Sequence, residues 1–247
     1  MAGFESGGLI GRTFQTLKRR VAAKYAMVAG RSADAYPGLQ TARGPGMTDD
    51  EILAEFRAAE ALLEGHFILS SGLRSPRYLQ CARVLMDPAR ASRLAGALAD
   101  KLSPELRATI DAVVSPAMGG VIIGHEIGRA LGCKAMFVER PHGAFGLRRG
   151  FRLDPGERVL MVEDVVTTGL SSREAIAAIE AAGGKVVAAA SLVDRSGGSA
   201  DLGVPFTPLI RIDVPTYSAD DLPRDLATIP ATKPGSRAEP AGAPEGA

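Results

Sequence analysis

Two hydrophobic periodicities alternate along the middle of this chain. Short continuous apolar runs are typical of buried parallel strands, and between them apolar residues recur every three or four positions, as on one face of a helix. The predicted strands are 112–115, 135–139, 158–163, 185–193 and 208–213. The predicted helices are 48–64, 88–102, 121–131 and 171–182. This alternation predicts an α/β domain whose mostly parallel central sheet is flanked by helices.

A hairpin is predicted between the first two helices. Two short apolar runs, around 66–69 and 78–82, bracket the polar segment Ser-Ser-Gly-Leu-Arg-Ser-Pro. Serine, glycine and proline are typical turn residues, so the two runs are expected to pair as antiparallel strands.

The first helix carries a start signal. Thr48 can cap a helix, and Glu51, three residues later, completes the capping-box pattern. Met47 therefore marks the expected beginning of the folded domain, which we place at 47–229. The segment 230–247 is rich in Pro, Gly and Ala, a composition that predicts a disordered tail.

Residues 1–46 form a basic extension. They contain seven Lys or Arg against two acids, a net charge of +5, which leaves the other 201 residues at −4 because the whole chain carries +1. A basic amphipathic helix over 13–29 would be compatible with an organelle transit peptide. A disordered extension, or a start codon assigned upstream of the true one, is the interpretation that the capping box favours.

Composition narrows the class of protein. The two cysteines offer neither a disulfide framework nor a Cys-x-x-Cys pair, which favours a reducing, cytoplasmic compartment. The net charge of +1 does not suggest a nucleic-acid partner, and no run of 18 apolar residues suggests a membrane span.

The stretch 158–170, Arg-Val-Leu-Met-Val-Glu-Asp-Val-Val-Thr-Thr-Gly-Leu, carries the clearest chemistry. An apolar strand ends in the acids Glu163 and Asp164, and a turn with Thr167, Thr168 and Gly169 precedes a helix. Hydroxyls and backbone N–H groups at a helix N-terminus form a phosphate-binding turn, and ligands bind at the carboxyl ends of parallel strands. The carboxylates suit sugar hydroxyls or a hydrated cation, so a phosphoribosyl group is the expected ligand.

This stretch closely resembles the phosphoribosyl-pyrophosphate (PRPP) motif of type I phosphoribosyltransferases, in which four apolar residues, two acids and two further apolar residues precede Thr-Thr-Gly. The resemblance implies that family's fold, with a small N-terminal hood, here 47–85, on a core at 86–229. The PRPP-binding residues that it implies are Glu163, Asp164, Val165, Val166, Thr167, Thr168, Gly169, Leu170 and Ser171.

Two further elements resemble orotate phosphoribosyltransferases. The predicted hairpin turn with Ser70, Ser71 and Gly72 is similar to a hood segment that contacts the pyrimidine, although the lysine often found before Ser-Gly is replaced by Ser70. An Asp-Arg pair ends the strand 185–193, and the resemblance implies that Arg195 holds the orotate carboxylate, for which its planar guanidinium is suited. Thr167 is also expected to approach orotate.

Two other segments resemble the family by position rather than by motif. Met118 and Gly119 stand in the turn that contacts pyrophosphate, where many relatives carry a lysine. The loop 140–152 takes the place of the mobile catalytic loop but contains no lysine. The cations that could neutralise pyrophosphate instead are Arg140, Arg148 and Arg149. Arg140 and His142 join Glu163 and Asp164 as candidate catalytic residues, and a solvated loop histidine remains the alternative for His142.

The implied reaction is Mg²⁺-dependent transfer of phosphoribose from PRPP to orotate, with the metal held through PRPP oxygens and water rather than by direct protein ligands. The resemblance also implies a homodimer. Two alternatives remain open, namely a purine phosphoribosyltransferase and a PRPP-sensing regulator of the same fold. An orotidylate decarboxylase domain does not fit within this chain because such a barrel needs about 250 residues of its own.

Overall fold

The computed structural model describes residues 46–69, 71–141 and 143–233. Ser70, His142, residues 1–45 of the predicted extension and residues 234–247 of the predicted tail lie outside these ranges. Within the described part of the chain, no helix is both long and apolar enough to cross a membrane.

The central sheet has six strands. In chain order they are β3 (Ala112–Pro116), β4 (Lys134–Glu139), β5 (Gly146–Leu147), β6 (Arg158–Val166), β7 (Lys185–Asp194) and β8 (Phe206–Arg211). Their spatial order is β5-β4-β3-β6-β7-β8. Only the short β5 runs antiparallel to its neighbour, whereas the other pairs are parallel. The predicted α/β class and mostly parallel sheet are therefore confirmed.

Helices cover both faces of this sheet. The longer ones are α3 (Pro88–Lys101), α5 (Gly120–Leu131) and α6 (Leu170–Ala181), each within two residues of its prediction. Residues of α3 and α5 pack with Leu160 and Val162 in one apolar cluster. Residues of α6 pack with Val159 and Met161 in a second cluster. Successive side chains of β6 therefore enter opposite cores, as the pleat of a strand requires.

The N-terminal part contains α1 (Asp49–Ala58), the antiparallel strands β1 (Leu62–Ile68) and β2 (Arg74–Leu79), and α2 (Cys81–Leu85). Thr48 and Glu51 form the predicted capping box. The predicted extension of the first helix to residue 64 is wrong, because Glu60 adopts a left-handed conformation with φ of 50° and redirects the chain. The residues after it belong to β1.

The boundaries of the hairpin also differ from the prediction. Its second strand occupies β2 rather than 78–82, and Cys81 begins α2 instead of continuing a strand. A short helix, α4 (Pro104–Thr109), lies between α3 and β3 and was not predicted. It is only six residues long, with a Ser103 cap and a proline start, and buries no side chain that would give it an apolar periodicity.

The chain beyond β8 returns to the hairpin. Tyr217 pairs with Arg74 through two backbone hydrogen bonds of 2.8 and 2.9 Å. After α7 (Arg224–Ala227), Thr232 donates its N–H to the His66 carbonyl and accepts from the Ile68 N–H, each at 2.8 Å. Both edges of the hairpin are thus paired with backbone from the end of the domain.

Candidate active site

The two adjacent acids of the PRPP-like stretch lie inside a strand rather than after it. The predicted strand end at residue 163 is wrong, since β6 continues to Val166 with Val165 paired to Val193 on β7. Consecutive strand residues point to opposite faces. Glu163 therefore continues the row of Met161 toward α6, whereas Asp164 continues the row of Val162 toward α5.

Asp164 lies against the start of α5. An ideal Cβ built on Gly119 would be 2.5 Å from Asp164 Oδ2 and 2.6 Å from Oδ1, so only glycine leaves room for this carboxylate. Burial raises the pKa of Asp164, while hydrogen bonds from the backbone N–H groups of Val165 and Asp164 itself lower it. Met118, beside Gly119, has 84% of its surface exposed.

Glu163 faces the other way and is more deeply buried, with 8% of its surface exposed. Ser172, in the first turn of α6, donates a hydrogen bond from its hydroxyl to Glu163 Oε2. Burial raises the pKa of Glu163 to about 7, against the lowering effect of the hydrogen bond from Ser172. The negative charge of Asp164 raises this pKa further.

The turn between β6 and α6 has the form of a phosphate-binding site. Gly169 adopts a left-handed conformation with φ of 73° and no side chain caps the helix that follows it. Added at Gly169, a Cβ would approach Leu202 to 2.6 Å. Thr167 and Thr168 are exposed, and the first N–H groups of α6 have no partner within the helix. The Leu170 N–H donates to the Thr168 hydroxyl oxygen at 3.4 Å. The next N–H groups of the first turn and the two threonine O–H groups are available to an anion.

A cavity of about 460 Å³ opens at this turn. It is lined by Ala117, Arg140, Phe145, Glu163, residues 165–172 and Glu174. The structure therefore brings together Glu163, the predicted phosphate-binding residues and one of the predicted loop cations. Phe145, Ser172 and Glu174 were not singled out from the sequence. The available signal for Ser172 was its place in the first helical turn, where side chains lean toward the helix N-terminus.

Two of the three predicted loop cations, Arg140 and Arg149, are paired with acids. Arg140 forms an ion pair with Glu174, and its guanidinium carbon lies 4.1 Å from the centre of the Phe145 ring. Arg149 pairs with Glu139 at 2.7 Å and, like the exposed Arg148, is not among the cavity-lining residues. Of the three predicted pyrophosphate cations, Arg140 alone lines this cavity in the described structure.

Arg195 follows β7 on the Asp164 side of the sheet. Its Nε is buried without a hydrogen-bond partner in the described structure, and burial lowers the pKa of its guanidinium. Tyr78 and Cys81 are nearby ionisable groups whose ionised forms would raise that pKa. Burial raises the pKa of the Cys81 thiol. The negative charge of Asp164 raises this pKa further, and the positive charge of Arg195 lowers it. The guanidinium thus lies where the N-terminal part meets the end of β6.

Asp194, the acid that precedes Arg195 in the chain, is paired with other groups. Asp194 is buried, and its carboxylate accepts hydrogen bonds from Ser196 and from Arg211 Nε, the latter at 3.2 Å. The guanidinium of Arg195 therefore remains available to a carboxylate ligand.

The hairpin turn is the last predicted element. Gly72 donates its N–H to the Leu69 carbonyl at 2.9 Å, and Ser71 accepts from the N–H of Leu73 at 3.5 Å. Ser71 and Gly72 are exposed and do not line the cavity. Their role in binding a base remains a prediction.

A PRPP-type turn at the carboxyl end of a central parallel strand defines the class of phosphoribosyltransferases. Residues 83–203 match the family model described as "Phosphoribosyl transferase domain". Type I fold membership, expected from the resemblance, is confirmed by this match and by a crystal structure of orotate phosphoribosyltransferase from Aeropyrum pernix. That structure has a TM-score of 0.56 and 29% identity, covering 65% of this chain and 93% of that chain.

Curated relatives identify the family within the phosphoribosyltransferase class. The chain is 75% identical over 192 residues to the orotate phosphoribosyltransferase of Rhizorhabdus wittichii, covering 78% of this chain and 98% of the relative. It is 72% identical over 194 residues to that of Novosphingobium aromaticivorans, covering 78% of this chain and 100% of the relative. The chain belongs to the orotate phosphoribosyltransferase family.

Proposed function

We propose that the protein transfers the phosphoribosyl group of PRPP to N1 of orotate, giving orotidine 5′-phosphate and pyrophosphate for pyrimidine (UMP) biosynthesis. The observation that carries the proposal is the cavity at the end of β6, where a carboxylate, two threonines and an uncapped helix N-terminus converge. The names of the relatives that are 72–75% identical support orotate as the acceptor.

In the reaction, N1 of orotate forms a bond to C1′ of the ribose as the bond from C1′ to the pyrophosphate oxygen breaks. Orotate already carries negative charge, so a strong protein base is not required. Positioning and electrostatic stabilisation of an oxocarbenium-like transition state therefore supply the catalysis.

Each part of the two substrates is bound by a different set of residues. Thr167, Thr168 and Gly169, with the first N–H groups of α6, hold the 5′-phosphate. Glu163, which lines the cavity, accepts hydrogen bonds from the ribose hydroxyls, and Asp164, on the opposite face beside Gly119, faces the hydration shell of the metal ion. Arg140 neutralises pyrophosphate from the cavity wall. Arg195 pairs with the orotate carboxylate, because its buried Nε has no partner in the described structure.

Mg²⁺ fits this arrangement. The ion would be held by PRPP oxygens and by water, because Mg²⁺ keeps much of its hydration shell when it binds with a phosphorylated substrate. The carboxylate of Asp164, beside Gly119, would accept hydrogen bonds from that water. The bound ion would neutralise charge on the departing pyrophosphate. A cytoplasmic homodimer completes the proposal, on the basis of the family resemblance and the two cysteines that form no disulfide in the structure.

The test is a direct assay. Purified protein with PRPP and Mg²⁺ is expected to consume orotate, followed by the loss of its ultraviolet absorbance, and to leave adenine and hypoxanthine unchanged. Turnover of a purine in place of orotate would overturn the assignment of the base, and absence of turnover with all three would overturn the proposed activity.

A further inference from the structure

We propose that Ser172 is a positioning residue for this reaction, which holds the Glu163 carboxylate in its orientation toward the phosphoribosyl cavity. The inference rests on the proposed function and deepens it. Ser172 lies just beyond the stretch that resembles the PRPP motif, and its part in the site comes from the structure alone.

The contact between the two side chains is buried and direct. Ser172 has 1% of its surface exposed and Glu163 has 8%, and the serine hydroxyl donates to Glu163 Oε2. Both residues line the cavity. The Glu163 side chain could adopt several staggered rotamers, so a buried donor on the adjoining helix selects one of them.

The surrounding charges make this donor important. Burial disfavours the ionised form of Glu163, and Asp164, on the same strand, disfavours it further. Hydrogen bonds from Ser172 and Ser171, and the positive charge of Arg140, favour it. Arg140 is itself paired with Glu174 of α6, so part of its charge is already neutralised. Among the groups that favour the ionised form of Glu163, Ser172 has the largest effect.

Ionisation matters because the proposed role of Glu163 is to accept hydrogen bonds from ribose hydroxyls. A carboxylate is an acceptor only, whereas the protonated acid offers a donor in its place. Since the pKa of Glu163 lies at about 7, loss of the Ser172 hydroxyl raises it and leaves a smaller ionised fraction at neutral pH.

The experiment is the pH profile of kcat/KM for PRPP, which reports groups of the free enzyme. In Ser172→Ala the acidic limb is expected to move up by about one pH unit, since one hydrogen bond to a charged group is worth about one pKa unit. The loss would then approach tenfold near pH 6 and become small at alkaline pH. The titration of PRPP itself is common to both enzymes and cancels.

Two comparisons separate positioning from a structural effect. Ser191 lies opposite Glu163 on β7, is fully buried, and donates its hydroxyl to the Val193 carbonyl. Ser191→Ala removes a buried hydroxyl at the same level of the sheet and is expected to leave the acidic limb in place. In a Glu163→Gln background, Ser172→Ala is expected to have no further effect on kcat/KM, as for two residues that act as a unit.

The proposal is overturned if the acidic limb of Ser172→Ala coincides with that of the unmodified enzyme, or if its loss persists in the Glu163→Gln background. Should Ser172→Ala fail to fold, Ser172→Cys retains the side-chain size with a weak donor and serves in its place. Failure of the proposed function would be distinct, because the unmodified protein would then not consume orotate. PRPP binding, measured by calorimetry at the same pH values, would still decide the role of Ser172.

Discussion

The carboxylate of Asp164 occupies the space that a side chain at Gly119 would need, since a Cβ there would lie 2.5 Å from Oδ2. The end of β6 and the start of α5 are therefore fitted to each other through one glycine and one acid. Asp164 cannot keep its position if anything larger than hydrogen stands at residue 119.

Gly119→Ala is expected to displace Asp164 and reduce kcat/KM for PRPP by about tenfold or more, because a misplacement of about 1 Å in a catalytic group can cost two orders of magnitude. The matched control is Gly96→Ala within α3, where an added Cβ meets nothing within 4 Å. That change should stabilise the helix by about 0.5–1 kcal/mol and preserve activity. Full activity in Gly119→Ala would show that the position of Asp164 is unimportant.

Asp164→Asn is expected to reduce turnover by orders of magnitude while the fold remains intact. Burial raises the pKa of Asp164, so the ionised side chain opposes folding, and a neutral side chain of the same shape should unfold at the same temperature or higher. Steady-state kinetics and a thermal unfolding curve measure the two effects. A folded variant with nearly normal turnover would remove Asp164 from the site.

Arg195→Ala is expected to raise the KM for orotate more than the KM for PRPP, because the guanidinium is proposed to pair with the orotate carboxylate. Arg211→Ala provides the comparison, since Arg211 pairs with Asp194 instead and its loss should leave the ratio of the two KM values unchanged. Equal increases in both KM values for Arg195→Ala would contradict the carboxylate role.

The stability of the ligand-free protein should depend on pH through Glu163. Its pKa is about 7 in the folded protein against 4.5 ordinarily, so the folded state binds the proton more tightly. Its contribution is fully present below about pH 4.5 and is lost as the pH rises through 7. Glu163→Gln should therefore gain stability relative to the unmodified protein on going from pH 5 to pH 8, by up to about 3 kcal/mol. Urea unfolding at the two pH values measures this, and an unchanged difference would argue against the shifted pKa.

Much of the core was predictable because continuous apolar runs and helical spacing are properties of short segments. The end of β6 was not, since two adjacent acids normally indicate the end of a buried strand. Here they extend it, because Asp164 fits against Gly119 and Glu163 meets Ser172. The alternation of side chains in a strand then places the acids on opposite faces, which the motif alone does not reveal.

Contacts between distant segments account for the remaining differences. The end of α1 is decided by Glu60, a non-glycine residue with positive φ, and such a conformation has no signal in hydrophobic periodicity. Arg140 contacts Glu174 and Phe145. Glu174 stands at an exposed helix position, and Phe145 belongs to a loop. Neither position follows a pattern that would single it out before the chain is folded.

The pairing of the hairpin with Thr232 has a consequence for synthesis of the protein. His66 and Thr232 are 166 residues apart, and a growing chain emerges from the ribosome N-terminus first. The outer edge of β1 must therefore wait, unpaired, until nearly the whole domain has been translated. The strand that leads into the turn expected to receive the base is therefore completed last, although its residues are among the first of the domain to be made.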